Sequence, residues 1–127
     1  MTVAAFAAVG IGAAIGAWLR WGLGSVLNPA FPTLPLGTLA ANLIGGYLIG
    51  LAVAYFTDNA AVPPEWRLFI ITGFLGGLTT FSTFSAEAVT LLVRAQYTWA
   101  AGLILSHLAG SIIMTLLGFA TFKWLQE

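Results

Sequence analysis

Residues 66–93 read WRLFIITGFLGGLTTFSTFSAEAVTLLV, and this stretch decides the fold. It is uncharged over residues 68–86, and its apolar character continues past Glu87 to Val93. One straight helix over these 28 residues would be about 42 Å long at 1.5 Å per residue, whereas the hydrocarbon core of a bilayer is about 30 Å thick. The segment therefore predicts a membrane helix that is either tilted or broken.

A break could lie near residues 76–80, where two glycines, Gly76 and Gly77, are followed by Leu78 and two threonines. A break would leave backbone carbonyls without helical partners, and such backbone is tolerated at membrane depth only where it is buried in protein or lines a cavity. Free carbonyls could bind a cation there. Tilt alone is the alternative, and the spacing does not decide between the two.

Three further stretches are uncharged and about as long as a membrane helix requires. They are residues 3–19, 37–57 and 95–122. Proline and asparagine residues separate the first three of the four stretches, and tryptophans and tyrosines cluster near the ends, as expected at the two membrane–water interfaces. The sequence thus predicts an all-α membrane protein with four transmembrane helices, which form one domain over residues 1–127.

The composition excludes several classes of protein. The chain is 60% hydrophobic and 6% charged, with a mean hydropathy of +0.99, so eight charged side chains cannot solvate it as a soluble domain. Four basic residues balance four acidic ones, which leaves no basic surface for nucleic acid. There is no cysteine and only one histidine. The first apolar run has no positive charge before it, so a cleaved signal peptide is not expected.

The basic residues give no preferred orientation in the membrane. With four spans, Arg67 and Lys123 lie on the side of the termini, and Arg20 and Arg94 lie on the other side. The positive-inside rule therefore ties at two against two. Either another signal orients the chain, or the protein inserts in both orientations and assembles as an antiparallel dimer.

Polar and small residues repeat at helical spacing inside the spans. Gly12 and Gly16, and likewise Gly46 and Gly50, are spaced for close helix packing. Thr38 and Asn42 share a face of the second span with Gly46. In the fourth span, a polar stripe at the same spacing consists of His107, Ser111 and Thr115. Such a stripe forms either a pore wall or a helix interface.

Two phenylalanines, Phe81 and Phe84, share a face of the third span among hydroxyl residues. The edge of an aromatic ring is positive, so these rings could face an anion without formal charge. Arg20 and Glu87 are the charges nearest to membrane depth. They could each extend to the interface, they could pair with each other, or Arg20 could place positive potential at the mouth of an anion path.

The block of residues 73–87, GFLGGLTTFSTFSAE, closely resembles the signature of the Fluc (CrcB) fluoride channels. The resemblance extends over the whole chain. It includes GAWLRW at residues 16–21, GTLAANLIGG at residues 37–46, and Gly110-Ser111 with Met114-Thr115 in the fourth span. The resemblance implies a passive, highly selective channel in the cell (inner) membrane that exports fluoride from the cytoplasm. It also implies a third helix that is broken near its middle, and an antiparallel, dual-topology homodimer with two pores.

The resemblance further implies roles for individual residues. Asn42 would be a pore-lining donor, Phe81 and Phe84 would be ring-edge ligands of fluoride, and Arg20 would lie in the vestibule. Backbone carbonyls of both subunits would hold one central structural Na⁺, at Gly76 and Thr79. Ser111 and Thr115 match polar positions of the fourth span. Further expected pore or near-pore residues are Thr38, Ser82, Thr83, Glu87 and His107.

Three rival functions stand against this interpretation. A small four-span multidrug exporter would need a membrane-embedded acid, for which Glu87 is the one candidate. A non-transporting assembly subunit would explain the glycines but not the aligned polar faces. An intramembrane enzyme is disfavoured, because one histidine with no cysteine and no acid pair provides no catalytic set.

Overall fold

The structure, a computed structural model that describes residues 1–127, is entirely helical. Four stretches are long and apolar enough to cross a membrane, which confirms the predicted number of spans. The third stretch, Pro64–Val93, consists of two helices. The five long helices are α1 (Val3–Leu27), α2 (Leu36–Asp58), α3 (residues 64–78), α4 (Ser82–Val93) and α5 (Tyr97–Leu125), and a short 3₁₀ helix, Asn28–Ala30, follows α1.

The helix ends differ from those predicted from the charges. The first helix continues for seven residues beyond Arg20, from residue 20 to Leu27, and the last runs over Tyr97–Leu125 instead of 95–122. Arginine is a good helix former, so Arg20 does not end the helix by itself. The end of α1 instead coincides with Pro29, which has no N–H group to continue the helical hydrogen bonds.

The third span is broken, as predicted, but the break lies at the end of the expected region. Residues 79–81 are not helical, and Thr79 is extended, with φ −87° and ψ 157°. Gly76 and Gly77 are still part of α3. Within α3, Leu68–Leu75 forms a π-helical stretch, which the sequence did not indicate. Gly76 and Gly77 therefore do not themselves form the break.

Gly77 allows α3 to pack directly on the backbone of α1, because a side chain at this position would collide with α1. A Cβ atom at Gly77 would lie 3.0 Å from the backbone nitrogen of Ala17. One turn earlier, a Cβ atom at Gly73 would lie 3.1 Å from the Cα atom of Gly12. Gly16 completes this row and would meet the backbone of Phe74. The glycine spacing in the first span thus produces a close helix crossing, as predicted.

A second glycine crossing joins α2 to α5. A Cβ atom at Gly50 would lie 3.0 Å from the Cα atom of Gly118, and the reverse distance is the same. Gly46 approaches Ser111, whose carbonyl oxygen would lie 2.9 Å from an added Cβ atom. These two crossings leave little apolar core inside one chain, and only 21 of 127 residues are buried.

Candidate functional site at the helix break

A cavity of about 440 Å³ lies between α2, the break and α5. Six of the predicted pore residues line it: Asn42, Phe81, Phe84, His107, Ser111 and Thr115. Gly76 and Thr79, which were expected to hold a cation, line it as well. No lysine, arginine or acidic residue belongs to its wall. The structure therefore brings most of the predicted site together around a neutral cavity.

Asn42 holds the break in place. Its Oδ1 atom accepts a hydrogen bond from the backbone N–H of Thr80 at 2.8 Å, and its Nδ2 atom donates to the carbonyl oxygen of Thr80 at 2.9 Å. The same Nδ2 atom donates to Nδ1 of His107 at 2.9 Å. The amide thus pairs both backbone groups of a residue outside any helix, and its two N–H donors are both used.

Because Asn42 donates to Nδ1, the neutral ring of His107 carries its proton on Nε2. The side chain is only 3% exposed, and Nε2 is buried without a hydrogen-bond partner. Its ring lies on that of Phe84, with the centroids 4.7 Å apart and the planes inclined by 31°. His107 therefore belongs to the wall of the cavity and carries a buried N–H donor that no group of the chain accepts.

The two phenylalanines of the signature differ in burial. Phe81 and Phe84 are in contact, with ring centroids 5.5 Å apart at an interplanar angle of 72°. Phe84 is 6% exposed, whereas Phe81 is 73% exposed at the edge of the break. Both rings line the cavity, and the edge of an aromatic ring is positive. Only Phe81 can be replaced without disturbing the core of the chain.

The polar stripe of α5 faces α2, but its hydroxyl groups are not equivalent. The hydroxyl of Thr115 shares its one hydrogen between the carbonyl oxygens of Gly46 at 3.0 Å and of Ser111 at 2.9 Å. The hydroxyl of Ser111 makes no hydrogen bond within the chain, so it keeps a free donor toward the cavity. Ser106 bonds to the carbonyl of its own helix at Gly102, at 2.6 Å.

Thr38, Thr83 and Glu87 lie outside the main cavity. Thr83 and Glu87 line a second cavity of about 280 Å³, and Thr38 donates a hydrogen bond to Oε2 of Glu87 at 2.7 Å. Ser82 is exposed and lines neither cavity. Apart from Ser82, the predicted pore and near-pore residues thus fall into two groups, one at the main cavity and one around Glu87 at the second cavity.

Arg20 is not paired with Glu87. Its Nε atom donates to the carbonyl oxygen of Gly77 at 3.0 Å, in the last turn of α3. The carbonyl oxygens of Gly76 and Thr79 accept no hydrogen bond from the chain, because the N–H groups of residues 79–84 bond elsewhere or not at all. Two free carbonyls therefore remain at the break, as the sequence led us to expect.

Sequence reasoning missed two residues that hold this region together. The backbone of Thr80 is the partner of Asn42, and Asn28 bonds to the first turn of α2. The spacing of polar residues predicts which of them share a helix face, but neither of these contacts is between residues of one helix.

The protein family described as "CrcB-like protein, Camphor Resistance (CrcB)" matches residues 7–119 of the chain. A protein of Nitrosospira multiformis named "Fluoride-specific ion channel FluC" is 67% identical over 127 residues, which cover 100% of this chain and 99% of that protein. Proteins of the same name from Thiobacillus denitrificans and Pseudomonas putida are 64% and 59% identical, over 96% and 94% of this chain and 98% and 94% of their own lengths.

The family match, the four membrane-capable helices and the broken third span agree with one another. The chain is a multi-pass membrane protein, and it belongs to the CrcB family.

Proposed function

We propose that this protein is a passive, selective fluoride channel that exports fluoride from the cytoplasm across the inner membrane. The observation that carries the proposal is the neutral cavity at the break, where the buried Nε2–H of His107 has no partner in the chain. The names of the relatives, at 59–67% identity over nearly the whole chain, support fluoride as the ion.

The chemistry of the cavity suits a small, strongly hydrated anion. A channel must replace the hydration of the ion with donors, which the Ser111 hydroxyl and the His107 N–H supply, and with positive ring edges, which Phe81 and Phe84 supply. A fixed lysine or arginine in the narrow part would bind fluoride too tightly, whereas conduction requires weak, multiple sites. Asn42 orients His107, and its own donors remain close to the same wall.

We propose that two copies assemble as an antiparallel homodimer with two pores. Two basic residues, Arg20 and Arg94, lie on one side of the membrane, and two, Arg67 and Lys123, lie on the other. This equal number favours insertion in both orientations. One chain encloses the cavity on only some of its sides. The side chain of Phe81, at the edge of the cavity, is largely exposed. A second copy packed across the break would complete the wall and cover this ring.

The free carbonyls of Gly76 and Thr79 fit a structural Na⁺ between the two copies. Hard cations take oxygen ligands, and a broken membrane helix commonly coordinates Na⁺ through unwound carbonyls. Two carbonyls from each copy would form such a site, and the cation would add positive potential beside both pores. Arg20, bonded to the neighbouring Gly77, would place a further positive charge near the vestibule.

Fluoride efflux from liposomes that contain the purified protein tests the proposal, with chloride efflux from matched liposomes as the control. We expect rapid fluoride release and negligible chloride release. Release of neither ion from folded protein would contradict the channel function and favour the exporter or the assembly subunit. Equal release of both ions would contradict the proposed selectivity.

Replacing Phe81 by Ile is expected to lower fluoride efflux strongly without loss of assembly. The substitution removes the positive ring edge, and it leaves the core intact because Phe81 is 73% exposed. The measurement is fluoride efflux together with gel filtration of the purified variant. Unchanged efflux from a correctly assembled variant would remove Phe81 from the pore.

Replacing Ser111 by Ala is expected to lower fluoride efflux, because it removes the one free hydroxyl donor of the α5 stripe. A net hydrogen bond contributes about 0.5–1.5 kcal/mol, so the rate should fall by roughly two- to tenfold. Ser106→Ala is the matched control, since that hydroxyl already bonds to its own helix. Equal efflux from both variants would show that the Ser111 hydroxyl does not contact the ion.

A further inference from the structure

Asn28, which follows α1, caps a helix that begins eight residues later. Its Oδ1 atom accepts hydrogen bonds from the backbone N–H groups of Gly37 at 2.7 Å and Thr38 at 3.1 Å. These are N–H groups of the first turn of α2, which have no partner within the helix. Pro35, at the N-cap position of α2, provides no side-chain hydrogen bond. The side chain of Asn28 therefore replaces the missing cap.

The two hydrogen bonds that Oδ1 accepts fix the orientation of the Asn28 amide. Two N–H donors require the oxygen, so the nitrogen must face the other way. That nitrogen, Nδ2, donates to Oγ1 of Thr38 at 3.4 Å, which is the longest bond of the set. Because an amide nitrogen can only donate, the Thr38 hydroxyl accepts this bond and directs its one hydrogen to Oε2 of Glu87 at 2.7 Å.

From this geometry we infer that Asn28 is a positioning residue for Glu87. The relay from Asn28 through Thr38 to Glu87 joins three parts of the chain, namely the segment after α1, the start of α2 and the middle of α4. Through it, one carboxylate oxygen is held against α2. The other oxygen, Oε1, is buried and has no partner in the chain.

The consequence for transport rests on the proposed function. Glu87 lines the smaller cavity together with Thr83, Arg94 and Gln96, so a carboxylate released from Thr38 could turn into that space. A mobile negative charge there would repel a passing anion. The relay keeps the carboxylate fixed at the wall, and disrupting it should slow fluoride without unfolding α2.

Asn28→Asp separates the cap from the relay. A carboxylate still accepts the two N–H bonds and suits a helix N-terminus, but it has no donor for Thr38. The Thr38 hydroxyl can then donate to the introduced carboxylate instead of Glu87. We expect fluoride efflux to fall about tenfold, as for a lost hydrogen bond to a charged group, while the thermal midpoint of the purified protein stays unchanged or rises.

Infrared spectroscopy reports on Glu87 directly and needs no transport. The chain has only four acidic side chains, so subtracting the spectrum of N28D/E87Q from that of N28D isolates the Glu87 carboxyl band. We expect this band to leave its wild-type position, obtained by subtracting E87Q from the wild type. It should move toward the position that it takes in Thr38→Val, which removes the hydroxyl and keeps the cap.

Two controls exclude a simple charge effect. Asn59→Asp adds the same charge at an asparagine whose side chain bonds only to the carbonyl of Tyr55. This variant should leave the fluoride efflux and the Glu87 infrared band unchanged. In a Thr38→Val background, Asn28→Asp should cause no further loss of efflux. A further loss of the same size would mean that the added charge acts on fluoride itself, which would overturn the inference.

A Glu87 band that stays at its wild-type position in N28D would also overturn the inference, because Asn28 would then be a cap alone. If N28D does not fold, Asn28→Ser keeps a cap oxygen without an amide donor and takes its place in both measurements. Failure of the wild type to release fluoride would contradict the proposed function, and the infrared comparison would still decide the role of Asn28.

Discussion

Asn42→Asp is expected to abolish fluoride efflux and to destabilise the protein. The change keeps the oxygen that accepts from the Thr80 N–H, but it removes both N–H donors. The carbonyl of Thr80 would lose its partner, and a buried group left unpaired costs about 1–3 kcal/mol. His107 would carry its proton on Nδ1 to donate to the carboxylate, which removes the Nε2–H donor. The carboxylate would also place a negative charge in the wall of a cavity that takes an anion.

The measurements are fluoride efflux and the thermal midpoint of the purified variant. We expect efflux at least about a hundredfold below wild type, which corresponds to a barrier increase of roughly 3 kcal/mol. The matched control is Asn59→Asp, the same substitution at the far end of α2, where the side chain bonds to the carbonyl of Tyr55. Normal flux through a folded Asn42→Asp protein would contradict the role of Asn42 in the pore.

Gly118→Ala is expected to separate α2 from α5 and to cause a large loss of stability. An added Cβ atom would overlap the carbonyl oxygen of Tyr47 and lie 2.9 Å from the nitrogen of Leu51. These are backbone atoms, so no side chain can move aside. We expect a loss of about 3 kcal/mol or more, at or above the upper end for overpacked sites, measured as the midpoint of thermal unfolding in detergent.

Gly102→Ala, in the same helix, is the control and should have the opposite sign. No atom lies within 4 Å of a Cβ atom there. Alanine is about 1 kcal/mol better than glycine inside a helix, so this variant should be slightly more stable than wild type. Equal stability of the two variants would show that α2 and α5 do not cross at Gly118.

The number of spans was predictable, whereas the positions of the helix ends were not. Few charged residues interrupt the apolar sequence, and a bilayer requires each long apolar stretch to span it. Charges nevertheless mark helix ends poorly, and α1 continues through Arg20 to Leu27. Arg20 is accommodated within α1 because its Nε atom donates to the carbonyl oxygen of Gly77 in α3. Helical spacing within one segment cannot indicate such a contact between two helices.

The candidate site was predictable to a similar degree. The spacing of Thr38 and Asn42 placed both on one buried face of α2, which the structure confirms. Their partners were not predictable, because Asn42 pairs with the backbone of Thr80 and Thr38 pairs with Glu87. Helical periodicity defines a face, but it does not say what lies opposite that face.

The bond between Arg20 and Gly77 also constrains how the chain is made. The two residues are 57 positions apart. At about 5–20 residues per second, translation reaches Gly77 roughly 3–11 s after Arg20. During that interval, the later partner of Arg20 does not yet exist. An arginine at the centre of a membrane helix costs about 2.5–3.5 kcal/mol on insertion, and the cost is smaller for Arg20, which lies seven residues before the end of α1. The bond to Gly77 therefore offsets this cost only after the third span has been synthesised.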